Sequence, residues 1–440
     1  MSAAERLRTW RALAAILAVI LCGTVQAQSV FRADAAHAGV YAGSAPRQFH
    51  RVKWTFPTGG RVVSSPVYRD GTIYVGSDDG YVYAIGASDG RQRWKHRTGG
   101  PVASTPAIAN DTLYVASYDG KLYALDAKTG ATRWTFATGG ERRFEAKGLH
   151  GFLPRNQTIA DPFDVYLSSP VVAERRVFFG SGDGNVYALD AASGRAEWQF
   201  ATGDVVHASP AYANGVVYDG SFDGDFYALD AATGRERWRF HGGQDPAIHN
   251  QVGFQSSPAI VDGIIYTGCR DSNLYALDAA TGAEQWRYNA SGSWINTTPA
   301  IVDGKVVFGT SDSRLFVVAD AGTGKPLVQQ QAKAYIFASP TVAGDVVLVG
   351  VLNGTLEARD LATGDVLWTF ATDASRRNAG WALTSGGEFN GALLFSSLWR
   401  EAPIVAAERQ FDVGSIFSSP LVVDGVVYFG SNDGNLYAIE

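Results

Sequence analysis

This sequence predicts an all-β fold, an eight-bladed β-propeller of four-stranded repeats. Three observations predict it: a segment that recurs and closes on Trp, a recurring Ser/Thr-Pro pair, and short β-rich runs divided by tight-turn residues. The segments VYAIGASDGRQRW, LYALDAKTGATRW, VYALDAASGRAEW, FYALDAATGRERW and LYALDAATGAEQW end on Trp94, Trp134, Trp198, Trp238 and Trp286. Two weaker copies follow: one has Val328 where Trp is expected, and the other ends on Trp368. Upstream of each copy, and once more near the C-terminus, stands a Ser/Thr-Pro pair. Its prolines are Pro66, Pro106, Pro170, Pro210, Pro258, Pro299, Pro340 and Pro420, so eight units are expected.

Taken in chain order, residues 1–27 have the form of a signal peptide. Arg6, Arg8 and Arg11 precede an apolar run from Ala12 to Leu21, and Val25-Gln26-Ala27 supplies the small residues of a cleavage site. The run is too short to span a bilayer, and no later stretch approaches about 20 apolar residues. Cys22 follows Leu21, where a lipid-anchoring signal needs a small residue, so an exported, periplasmic protein without a lipid anchor is expected. Residues 28–50 form an N-terminal extension, and residues 51–440 a single propeller. In the fourth unit ASPAY, VVYDG, DFYALD and ERWRF are strand-like runs separated by Asn214-Gly215, Asp223-Gly224 and Thr233-Gly234. The eighth unit ends at NLYAIE without its Trp strand, while an orphan KWTF containing Trp54 precedes the first unit. The N-terminal strand should therefore complete the last blade and remove an open edge.

Composition narrows the functional classes. Glycine is frequent (50 residues) and charged residues are scarce (18%), as a turn-rich chain with little surface helix requires. The formal charge of -6 implies no strongly basic face and argues against a nucleic-acid binder. Once the leader with Cys22 is removed, Cys269 stands alone and no intrachain disulfide can form.

The repeated YALD-x-x-TG-x-x-W unit, over about Arg51 to Glu440, resembles that of the PQQ-like repeat proteins, which are eight-bladed propellers. The resemblance implies that Trp54, Trp94, Trp134, Trp198, Trp238, Trp286 and Trp368 dock neighbouring blades. Two branches of the family differ in function: quinoprotein dehydrogenases, which bind pyrroloquinoline quinone (PQQ) and calcium at one mouth, and BamB-type scaffolds of outer-membrane protein assembly. The Asp-Gly pairs lack the alternating acids and closing Glu of calcium loops, and tight hairpins explain them better. The adjacent cysteines of many quinoprotein dehydrogenases and a Cys-x-x-Cys-His haem motif are absent. The reading is thus a monomeric, non-catalytic scaffold for an envelope protein or a small ligand. The alternative is a PQQ- and calcium-dependent dehydrogenase of alcohols or sugars, with Asp161, Asp164, Asp245, Asp271, Glu388 and Asn390 as its available acids and ligands.

Function is expected where the units differ. Three connections, near 140–164, 242–252 and 372–413, are lengthened, and all join the outer strand of one blade to the inner strand of the next, so they share one mouth. The first carries Arg142, Arg143 and His150, the second His249 and Asn250, and the third Arg376, Arg377, Trp381 and Trp399. Arg270 joins this set of ligand-binding candidates. Arginines of this kind bind a carboxylate-bearing ligand or pair with neighbouring Asp and Glu, and no metal-ligand spacing is present.

The inner strands give a sharper expectation. The residue three before each proline is Val63, Ala103, Leu167, His207, Gln255, Asn296, Phe337 or Phe417, while the residue four before it is apolar. Period-two alternation then buries the apolar row between blades and turns the variable row to the channel. His207, Gln255 and Asn296 become a polar arc opposite a hydrophobic one, either a small-molecule pocket or a hydrated channel. Asp219 occupies a position held elsewhere by Val, Phe or Thr. It must be hydrogen-bonded, hydrated or raised in pKa, and its strand parity implies no pair with His207.

Overall fold

The computed structural model describes residues 30–151, 155–245, 253–394, 396 and 402–440. Eight antiparallel sheets stand around a central channel, each with strands A to D running from the channel to the rim. Blade 4, for example, is built from Ala211–Ala213, Val216–Gly220, Asp225–Asp230 and Glu236–His241. The other blades occupy residues 67–97, 107–137, 171–201, 259–289, 300–331, 341–371 and 421–439. Val52–Pro57 pairs antiparallel with Asn435–Ile439 as the outer strand of blade 8, so ring closure runs as the orphan KWTF requires.

Each repeat motif joins one blade to the next. The Trp indole donates to an alanine carbonyl of the following blade, as in Trp94 to Ala127 (3.0 Å), Trp198 to Ala231 (3.0 Å) and Trp286 to Ala321 (2.9 Å). Trp54, Trp134 and Trp238 repeat the bond to Ala87, Ala191 and Ala279. Under each ring lies the repeat's TG glycine: at Gly234 φ is +70°, and a Cβ there would stand 2.6 Å from the Trp198 ring. Trp368 differs from these, donating to the Pro46 carbonyl of the N-terminal extension at 2.8 Å.

The Ser/Thr before each proline builds a belt around the channel. The amides of Ser65, Thr105, Ser169 and Ser209 donate to the hydroxyls of Thr105, Ser169, Ser209 and Ser257 on the next blade (2.8–3.1 Å), and Ser419 returns to Ser65 (2.9 Å). The Asp-Gly turns are staples: Asp223 accepts from the amides of Asp225 and Gly203 and from the Tyr227 hydroxyl, binding its own turn to the preceding connection. Their acids are thus engaged as hairpin partners.

The apolar row packs between blades at seven units, where Val62, Val102, Val206, Phe254, Ile295, Ile336 and Ile416 press on strand-B glycines. Blade 3 departs from the expectation. Tyr166 turns into the channel, and its hydroxyl donates to the carbonyls of Phe337 (3.1 Å) and Phe417 (3.3 Å) on the far side of the ring.

The N-terminal extension does more than its length suggests. The carbonyls of Ala35, Ala36, Ala38 and Gly39 accept from Tyr212, Ile260, Ile301 and Val342, the inner strands of blades 4 to 7. Val40–Tyr41 then pairs parallel with Thr341–Ala343 as a fifth strand in blade 7. This strap follows the inner strands of those four blades, and its Arg32 and His37 side chains are buried. Among the described residues no helix is long and apolar enough to cross a membrane.

Candidate functional site

The variable row lines the channel as its parity requires: Val63, Ala103, Leu167, His207, Gln255, Asn296 and Phe337 all border one central cavity. That cavity measures only about 30 Å³, and the first insert enters the channel beside it. Its hairpin, Glu145–Lys147 with Thr158–Ala160, leads into Asp161-Pro162-Phe163-Asp164. The Phe163 ring stacks on Phe337 (5.7 Å, 20°) and meets Phe411 and Trp294 edge-on. Phe411 and Ala407 come from the helix Ala402–Asp412 of the third insert, so two inserts jointly cap the apolar arc.

The polar arc holds this plug in place. His207 Nδ1 lies 2.7 Å from Asp164 Oδ1 and its Nε2 lies 3.3 Å from Glu141. Asp164 also accepts from the Phe144 amide (2.6 Å), and Glu141 from Ser181 and Gly182. Burial alone would lower the His207 pKa; Asp164 and then Glu141 outweigh it and raise the imidazole to about 10. A protonated histidine therefore sits between two carboxylates.

A second pair lies beside the first. Arg270, fully buried, meets Asp161 through Nη1 and the Gln255 side-chain oxygen through Nη2 (2.7 Å), while Gln255 donates to the Phe163 carbonyl (3.1 Å). The guanidinium lies over both Trp294 (4.4 Å) and Phe222 (4.8 Å). Burial would raise the Asp161 carboxyl; Arg270 and His150, the latter at 2.9 Å, hold it well below the usual carboxylate range. His207, Gln255, Arg270 and His150 are thus brought together, engaged with the first insert. Asn296 keeps its amide toward the cavity, and neither Oδ1 nor Nδ2 has a protein partner.

The remaining candidates are placed apart. Arg142 pairs with Asp204 at 2.8 Å, and Arg143 lines a separate cleft of about 280 Å³. Arg376 pairs with Asp373 over the Phe370 ring; Arg377 and Trp381 are exposed on the third insert. His249, Asn250 and Trp399 lie outside the described residues. Asp219 is buried: one oxygen accepts from Gly220 at 2.9 Å, the other has no partner, and burial raises its pKa well above the usual range. Cys269 is buried, and burial raises its thiol pKa as well. The sequence offered Asp161 and Asp164 only as loose acids. The signal that could have paired them is that a channel-facing position of blade 4 supplies a histidine, His207, and the turn after the second strand of blade 5 an arginine, Arg270.

The family's cofactor does not fit this channel. A ligand pocket measures about 300–1,000 Å³, ten times the space left here, and Asp161 and Asp164 are already bound to cations of the chain itself. Among the described residues no group of three His, Cys, Asp or Glu side chains could hold a metal.

Comparison with known proteins agrees on the architecture. The sequence profile described as outer membrane protein assembly factor BamB matches residues 36–149, 160–298 and 270–440, and that of the glucose/ethanol/alcohol dehydrogenase β-propeller domain matches 97–208. No protein of curated function matches the sequence. Among solved structures, BamB from Moraxella catarrhalis is 18% identical with a TM-score of 0.63, covering 89% of this chain and 97% of its own. The quinohemoprotein alcohol dehydrogenase from Comamonas testosteroni is 15% identical with a TM-score of 0.67, covering 95% of this chain and 81% of its own. A europium-containing methanol dehydrogenase, also 15% identical at 0.67, covers 94% and 98%. At such identities the likeness shows the fold, and the profile match over most of its length places this chain in the PQQ-like repeat family described as outer membrane protein assembly factor BamB.

Proposed function

We propose that this chain is an exported, periplasmic, monomeric scaffold that docks an envelope protein through its insert-bearing mouth and carries out no chemistry of its own. The observation that carries the reading is the filled channel. The place where a propeller of this family would hold a cofactor is occupied by Phe163 and sealed by two buried ion pairs, His207–Asp164 and Arg270–Asp161. Rigidity of this kind suits a binding platform, because an interface that is already ordered loses little side-chain entropy on association.

The third insert presents Trp381, 54% exposed, and also exposes Leu393, Arg376 and Arg377. Aromatic and arginine side chains dominate the energy of protein interfaces. The test is site-specific photo-cross-linking in the periplasm, with the reactive group placed at Trp381 or Arg377 and, as control, at Leu327 on an outer strand. The reading expects a discrete adduct with one envelope protein from the first two positions and none from the third. Equal labelling at all three would remove the insert-bearing mouth as the docking face.

A further inference from the structure

The 280 Å³ cleft is a second feature of this mouth, off the channel axis between blades 8, 1 and 2. Its charged and polar walls include Arg61 before blade 1, Asp78 on the blade 1 turn, Tyr118 on the blade 2 turn, Arg142 and Arg143 of the first insert, and Asn432 from blade 8. Its size, just below the usual range of about 300–1,000 Å³, admits a small molecule only.

The charges in the cleft are unevenly matched. Arg61 is held by Glu408 (2.7 Å) and Asp412 (3.2 Å), and Arg142 by Asp204. Arg143 forms no ion pair among the described residues: Tyr118 is its neighbour in the cleft, and the Asp164 and Glu408 carboxylates act on its charge from farther away. A planar guanidinium in this position matches a carboxylate with two parallel hydrogen bonds. The cleft also holds acceptors. The Asn432 side-chain oxygen is buried with no protein partner, and Asp78 is pushed up to about 6 by burial, with Arg61 and Arg143 pulling the other way and Asp79 adding to the rise. The remaining acid of the cleft, Glu141, is committed to His207.

We propose that this cleft binds a small zwitterion of the amino-acid class, its carboxylate on Arg143 and its ammonium group toward Asp78 and the Asn432 oxygen. The site is independent of the scaffold reading, since the docking loops are those of the third insert. An ammonium group supplies a donor to the unpartnered Asn432 oxygen and a countercharge to Asp78, and desolvated acceptors gain most from such a partner.

Calorimetric titration with L-alanine, L-leucine and L-glutamine tests the assignment, with the N-acetyl and carboxamide derivatives of each as controls. At least one free amino acid should bind, and both derivatives should bind at least tenfold more weakly. Arg143→Gln should lose binding and Arg143→Lys should restore part of it, with circular dichroism reporting that both remain folded. Affinity should fall about tenfold from pH 7.5 to 5, as Asp78 takes up its proton while the ligand's own groups do not titrate. Asp78→Asn should weaken binding and flatten that profile. Absence of binding by the whole panel, equal binding of the blocked derivatives, or an unchanged Arg143→Gln protein would each overturn the proposal.

Discussion

His207 of blade 4 and Asp164 of the first insert form a fully buried ion pair, Nδ1 to Oδ1 at 2.7 Å, that ties the plug to the wall of the channel. With its pKa raised from 6.5 to about 10, His207 contributes stability that is fully present below pH 6.5 and is lost as pH rises through 10. His207→Gln should therefore lower stability at pH 7 by about 3–5 kcal/mol, since it strands two buried carboxylates. Urea unfolding at pH 6, 8 and 10 checks this: the gap between wild type and variant should narrow with rising pH, and a constant gap would show that His207 is neutral.

Asp219 gives a prediction of opposite sign. Its raised pKa means that the folded state prefers the protonated acid, so its contribution is harmless below the unfolded value of 3.8 and destabilises progressively as pH rises above it. Val occupies the same position in blades 1, 2 and 7 as Val75, Val115 and Val349. Asp219→Val should raise stability at pH 7 by about 1–3 kcal/mol by removing an unpartnered oxygen. Thermal melts at pH 7 and 4 should show the gain shrinking at the lower pH; a loss of stability would mean that the carboxylate has an undetected partner.

The joint between blades 6 and 7 should be the weakest in the ring. Val328 there takes the place of Trp and packs on Gly364 without an indole hydrogen bond, while a buried Arg359–Glu357 pair lies nearby, Arg359 over Phe316. Hydrogen exchange should be faster in the strands flanking this joint than around Trp198. Gly234→Ala, at positive φ and 2.6 Å from the Trp198 ring, should destabilise the protein by more than about 1 kcal/mol; uniform exchange around the ring would refute the ranking.

Much of this architecture is legible in the sequence because each repeat residue performs a local task. Trp198, Gly234, Asp223 and Ser209 each make one contact with an adjacent blade, and that contact recurs every time the motif does. The direction of His207, Gln255 and Asn296 followed from strand parity for the same reason. The plug was not legible. Phe163 and Asp164 belong to a unique loop whose path depends on which channel cation it meets, and Tyr166 leaves its row because that loop enters the ring. The strap of residues 35–39 offered no pattern either, since its hydrogen bonds are made by backbone carbonyls that any residue supplies.

The filled channel is the centre of this account, and titration of the mature protein with PQQ, with and without calcium, tests it most directly. With about 30 Å³ of free space and the plug carboxylates Asp164 and Asp161 bound to His207 and Arg270, calorimetry should detect no calcium-dependent binding and a dye-linked assay no alcohol oxidation. Tight calcium-dependent binding with turnover would show that the Phe163 plug leaves the channel, and would make the chain a compact quinoprotein.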